Sequence, residues 1–184
     1  MFIDSVFPSV EWYLKRIEAQ SFWVDLNENT SHPVHHYQIA TVQGPQTLII
    51  PLLKDTKNQP WGFRKISYRH KWMKEHQNAL QTAYGKSPFF EFYDYKIFAV
   101  WKNEPETLGE MFIQTAEILH PYLGLNHLPL QWNESDEKKM HEKTSPEKEK
   151  IYPQVFSDII GFLPHMSIID LLFNLGPEAP EHWL

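Results

Sequence analysis

Ser67-Tyr68-Arg69-His70-Lys71-Trp72-Met73-Lys74-Glu75-His76-Gln77-Asn78-Ala79-Leu80-Gln81-Thr82-Ala83-Tyr84-Gly85-Lys86-Ser87-Pro88-Phe89-Phe90-Glu91-Phe92-Tyr93-Asp94-Tyr95 is the stretch around which the rest of the chain is arranged. Trp72, His76, Ala79, Leu80, Ala83 and Tyr84 recur at intervals of three and four, so they share one face of a helix. Lys74, Glu75, Gln77, Asn78 and Gln81 fall on the opposite face. Gly85 is expected to end the helix in a left-handed conformation, and Pro88, which has no amide hydrogen, bars its continuation. The aromatic run at 89–93 carries more apolar surface than a solvated loop would, so it reads as the packing partner of this helix.

Working outward, Ser9 precedes an amphipathic pattern through Trp12, Tyr13 and Ile17, and its hydroxyl suits the cap of a helix over 10–20. Phe22 to Leu26 reads as a short strand. Tyr37 to Val42 alternates as a strand, Gln43-Gly44-Pro45 turns, and the apolar run from Thr47 to Leu53 predicts a partner strand covered on both faces. Residues 54–62 read as a polar loop and 63–68 as a further short strand. Ile97 to Trp101 predicts a short helix. Leu108 to Leu119 predicts a longer one, with Glu106 placed in its first turn, where the helix dipole favours negative charge. From Asn133 to Lys150 the chain is dense in Glu and Lys with almost no large apolar side chain, which predicts a solvated excursion. Ser167-Ile168-Ile169-Asp170 has the spacing of a capping box at the start of a last helix. The predicted fold is a single α/β domain: a small mixed sheet, an N-terminal hairpin region and several covering helices.

A chain of 184 residues, 42% of them hydrophobic, is long enough for one core. No run of about 18 apolar residues is present, so membrane insertion is not expected. The first residues show no basic leader before an apolar run, and with no cysteine in the sequence a reducing cytoplasm is the expected setting. The same absence excludes disulfides, thiolate nucleophiles and thiolate metal sites. A net charge of −6 argues against a nucleic-acid partner, whose phosphates call for a basic surface. The glycine patterns of dinucleotide and phosphate loops and the Gly-x-Ser-x-Gly elbow are all missing.

Histidines supply the candidate chemistry. His32, His35 and His36 cluster, yet Pro33 opposes a helix there, and on a strand His35 and His36 point to opposite sides. No metal site and no cofactor are therefore expected. His76, on the apolar face of the central helix, admits two readings: a neutral imidazole serving as base or donor to a substrate, or a core histidine held by a carbonyl. Tyr68, Tyr84 and Tyr152 admit the same pair, as phenol donors lining a pocket or as core filling.

Three blocks together resemble the WbqC-like protein family. They are Phe7-Pro8-Ser9-Val10-Glu11-Trp12-Tyr13, the stretch from Ile66 through Tyr93, and Gly161-Phe162-Leu163-Pro164 through Ser167, Asp170, Asn174 and Gly176-Pro177-Glu178-Ala179. The resemblance implies a bacterial cytoplasmic protein linked to O-antigen and other surface polysaccharides, with a nucleotide-sugar-like, amino-sugar ligand. It leaves His76 as the candidate catalytic residue and His35, His36, Tyr68 and Tyr84 as candidate ligand contacts, with the oligomeric state open. The chain departs from the family pattern at two places. Ile3-Asp4 stand where relatives carry a Gln-Pro or His-Pro pair, and Val34-His35-His36 where they carry Arg-Asn-Arg. Losing both arginines removes planar forks suited to phosphate or carboxylate. A non-catalytic binding or scaffold module of the same fold is accordingly the alternative expectation.

Overall fold

The computed structural model describes residues 4–128, 130–133 and 150–183. The charged excursion expected at 133–150 lies, apart from its two end residues, outside the described residues. The elements in order are α1 (Val10–Glu18), β1 (Phe22–Asp25), β2 (His36–Thr41), β3 (Gly44–Ile49), α2 (Trp72–Tyr84), α3 (Phe90–Lys102), α4 (Leu108–Leu119), β4 (Leu130–Asn133), α5 (Ser157–Ile160) and α6 (Ile168–Leu175). Short 3-10 turns lie between and after them. The α/β reading holds, with the sheet in two separate pairs. β1 and β4 run parallel, from Phe22 beside Leu130 to Asp25 beside Asn133. β2 and β3 form the antiparallel hairpin, from His36 beside Ile49 to Thr41 beside Gly44.

The central helix forms as its periodicity requires, with Trp72, His76, Leu80, Ala83 and Tyr84 buried. Gly85 departs from expectation: it stays right-handed at φ −59°, and its amide closes the last turn on the Gln81 carbonyl. The aromatic run 89–93 and the apolar residues after Tyr95 are one continuous helix, α3, whose Phe90, Tyr93, Ile97, Val100 and Trp101 line up on its buried face. α3 packs on α4 and α6, and α2 packs on β2 and α3, so the core sits between the helices with the hairpin laid against one side. α4 is capped by the Thr107 hydroxyl, which accepts from the Glu110 amide, so Glu106 falls just outside the helix. α4 approaches the turn at Trp61–Phe63 so closely that a Cβ on Gly109 would lie 2.7 Å from the Gly62 carbonyl oxygen. That approach requires glycine.

Two strand expectations and one loop expectation are corrected. β3 begins earlier than expected and buries only Leu48, while Ile49 is half exposed, because β3 is the edge of a two-stranded hairpin whose outer face no other strand among the described residues covers. Pro45 fits such an edge, where no donor is needed. The segment 63–68 makes isolated bridges, Leu52 with Ile66 and Lys65 with Thr107, with two backbone hydrogen bonds to 51–53 on one side and two to 106–108 on the other, too short a ladder for a strand. The preceding loop is less polar in its packing than in its composition: Trp61 is fully buried and donates its indole N–H to the Asp25 carbonyl at 2.7 Å.

The capping box at α6 does not form. The Ile168 amide is taken by the Pro8 carbonyl at 2.8 Å and the Ser167 amide by the Gln38 carbonyl at 3.0 Å, so backbone from other segments does the work of a cap. Asp170 is released for a different role. Its carboxylate lies fully buried and accepts from the Tyr152 hydroxyl at 2.7 Å and the Gln154 side-chain amide at 2.9 Å.

Candidate functional site

The chain from Asp4 to Ser9 is stitched to two distant segments. The Val6 amide donates to the Val34 carbonyl at 2.7 Å, the Ser5 hydroxyl to the His36 carbonyl at 2.6 Å, and the Val10 amide to the Met166 carbonyl at 3.0 Å. Between these seams lies a cleft of about 380 Å³ lined by Asp4, Ser9, Glu11, His32, Pro33, His36, Tyr37, Gln38, Thr47, His165 and Ser167, among others. Its size falls within the ~300–1,000 Å³ usual for small-molecule sites.

Two carboxylates face this cleft and are held differently. Asp4 accepts from the Ser9 hydroxyl at 2.5 Å and from the Ser9 amide at 3.2 Å. Burial nevertheless dominates and raises its pKa above the ordinary aspartate value, against the lowering pull of Ser9 and His32. Glu11 stands at the start of α1. Burial works upward on it too, but the Lys15 ammonium and the His165 imidazole together outweigh burial and lower its pKa. Lys15 takes one carboxylate oxygen, and His165 Nδ1 takes the other at 2.6 Å. The aspartate holds its proton to higher pH while the glutamate gives its own up more readily. Such a split of two neighbouring carboxylates is how acid and base roles are assigned at one pH.

The profile of the WbqC-like protein family matches residues 7–145, about three quarters of the chain. The chain belongs to that family. No curated protein and no solved structure gives a significant match. The C-terminal block of the sequence resemblance, 161–179, falls beyond the matched span of this WbqC-like chain. It is nevertheless built into the matched part: Ser167 bridges Ser9, and the Phe89 amide donates to the Phe173 carbonyl at 3.1 Å. Asp4 and His36, which stand at positions where the sequence departs from the family pattern, both line the cleft; His35 does not.

The structure brings the five sequence-derived candidates to different places. His36 lines the cleft, with its pKa lowered by burial and by His32. His35 packs edge-on against it, ring centres 4.3 Å apart, and is not among the residues lining the cleft. Tyr68 donates to the Pro105 carbonyl at 2.8 Å, and the Tyr84 hydroxyl accepts from the Ala40 amide at 2.8 Å. His76 is 4% exposed, wedged between Trp72 and Trp101, with Nδ1 3.0 Å from the Tyr37 hydroxyl. His76 does not itself line the cleft but contacts Tyr37, which does. Among the described residues no group of three or more potential metal ligands is close enough to hold an ion. Sequence reasoning passed over Glu11, Gln38, His165 and Ser167, which come from three segments far apart in the chain. The departures from the family pattern at Asp4 and His36, read from the sequence as a loss of arginine forks, fall on two residues that line this cleft.

Burial lowers the pKa of His76 to about 4, below its ordinary value near 6.5. The unfolded chain therefore takes up this proton first, and the stability held by neutral His76 is complete above pH ~6.5 and lost as the pH falls towards 4. We expect His76→Gln to lower stability at pH 7 by about 1–2 kcal/mol through the Tyr37 hydrogen bond and to flatten the acid limb of a Tm-against-pH curve. An unchanged Tm with selective loss of ligand response would instead make His76 a functional group.

Proposed function

We propose that this WbqC-like chain is a cytoplasmic protein of surface-polysaccharide synthesis that acts on an activated amino sugar, holding the sugar ring in the cleft between 4–11, 32–38 and 165–167. The observation that carries the reading is the pair of oppositely displaced carboxylates, Asp4 and Glu11, facing one cleft of sugar-ring size. Among the described residues lining it there is no Lys or Arg, so the cleft suits an ammonium and hydroxyls, with a nucleotide diphosphate lying outside. In this reading Glu11 holds the amine. Asp4 is the acid, and His36, Gln38 and Ser167 hydrogen-bond the ring; Tyr37, oriented by His76, forms one wall. A binding module without turnover is the second reading, favoured by the ion pair with His165 that already engages Glu11.

Thermal shift tests the reading. At about 100 times Kd, glucosamine should raise the Tm of the wild type by roughly 5–10 °C, given ~2.7 kcal/mol of linkage for a domain of this size. Glucose should do much less, and Glu11→Gln should lose the glucosamine response. A panel of glucosamine, glucose and nucleotide sugars that leaves the wild-type Tm unmoved would overturn the proposal.

A further inference from the structure

His165 stands out in its backbone. Its φ is +63°, a left-handed value that a non-glycine residue adopts only at a cost. The loop around it gives it little freedom to relax. Leu163 is pinned on both sides by the Gln154 side chain, donating to Oε1 at 2.8 Å and accepting from Nε2 at 3.0 Å. Met166 and Ser167 are fixed by Val10 and Gln38. The strained backbone delivers an imidazole, itself 65% exposed, onto one Glu11 oxygen at 2.6 Å. Lys15 already fixes the other oxygen, so Glu11 offers one directed acceptor to the cleft.

Two residues that line the same cleft each carry a buried polar atom with no hydrogen-bond partner among the described residues. The Ser167 hydroxyl belongs to a residue 1% exposed, and the Gln38 side-chain carbonyl is buried as its amide nitrogen donates to Thr47 at 2.9 Å. Buried polar atoms without partners are uncommon and call for an explanation. With Glu11 they put three acceptor atoms on residues that line one cleft, as many as a primary ammonium group has donors. An imidazole offers a single N–H towards Glu11 and leaves the other two atoms unmatched.

Building on the reading of the cleft as an amino-sugar site, we propose that His165 is its specificity-determining residue, an internal surrogate whose imidazole occupies the cation position on Glu11 until a primary ammonium displaces it. The ring leaves by side-chain rotation while the anchored backbone stays. A neutral sugar offers Glu11 only hydroxyl donors, whereas an ammonium offers a full charge, so His165 acts as a filter that favours a cationic ligand.

The test uses His165→Gly, because glycine accepts the +63° backbone and the fold keeps its loop. Removing the competitor should tighten glucosamine binding by calorimetry about two- to sixfold, the range set by an exposed ion pair that the ligand must first break. Glucose binding should not change. Added imidazole should raise the Tm of His165→Gly, leave the wild type unmoved, and lose its effect when Glu11→Gln is combined with His165→Gly. Weaker glucosamine binding in His165→Gly, or no imidazole response, would overturn the proposal. The two ideas separate cleanly. An imidazole response without glucosamine binding in either protein defeats the amino-sugar reading alone. Equal glucosamine binding with no imidazole response defeats the surrogate alone.

Discussion

Trp101→Ala is expected to cost about 3–5 kcal/mol, the range for truncating a fully buried aromatic whose cavity cannot collapse. Trp101 has no exposed surface, and its ring lies 5.4 Å from Phe98, 5.8 Å from Trp72 and from His76, and 6.0 Å from Phe7, centre to centre. Those neighbours come from α3 itself, from α2 and from the segment leading into α1, so no single movement can fill the hole. Against a typical total of about 5–15 kcal/mol, the loss should lower Tm by roughly 10 °C or more. Trp101→Phe is the informative control. Among the described residues the indole N–H has no hydrogen-bond partner, so phenylalanine removes volume without orphaning any of them and should cost much less. Denaturant unfolding of the two variants checks both values, and a Trp101→Ala protein within about 1 kcal/mol of wild type would contradict this picture of the core.

The second large effect is at Asp170. Alanine there leaves the Tyr152 hydroxyl and the Gln154 amide buried without their acceptor, and should cost about 2–4 kcal/mol. Asparagine keeps an acceptor oxygen and should be far milder. Burial raises the Asp170 pKa, outweighing the lowering by Tyr152, Tyr84 and Gln154. A carboxyl whose folded pKa lies above its unfolded value contributes its stability fully below about pH 4 and loses it as the pH rises through the folded value. Asp170→Asn removes that slope, so the variant should gain on the wild type as the pH is raised from acid towards neutral. Equal pH dependence in the two proteins would mean that Asp170 does not titrate as described.

Much of the fold was legible because local signals and burial agreed. α1 with its Ser9 cap, the apolar face of α2, the hairpin and α4 each have an unbroken period and a clear start or stop. The errors came where tertiary contacts override local pattern. Ser167 and Asp170 have the spacing of a cap, yet the Pro8 and Gln38 carbonyls reach the amides first, and Asp170 becomes a buried acceptor. The apolar run at 47–53 looked doubly covered, but its first half is an edge, and only Ile50 beyond it is fully buried. The site was less legible than the fold. Glu11 reads as an ordinary first-turn acid, and nothing near His165 in sequence announces a left-handed backbone or a partner 154 residues away. Pairings of that kind depend on how α6 docks against the start of α1, which periodicity does not encode.

The most direct test of the cleft is to map amide chemical shifts of the labelled protein during a glucosamine titration. The account predicts that the perturbed amides cluster in residues 4–11, 36–38 and 165–168, with the same titration in Glu11→Gln leaving them in place. Shifts confined to the other groove, where Thr41–Gln46 faces Asn78, Thr82 and Phe156, or no saturable shifts at all, would contradict it.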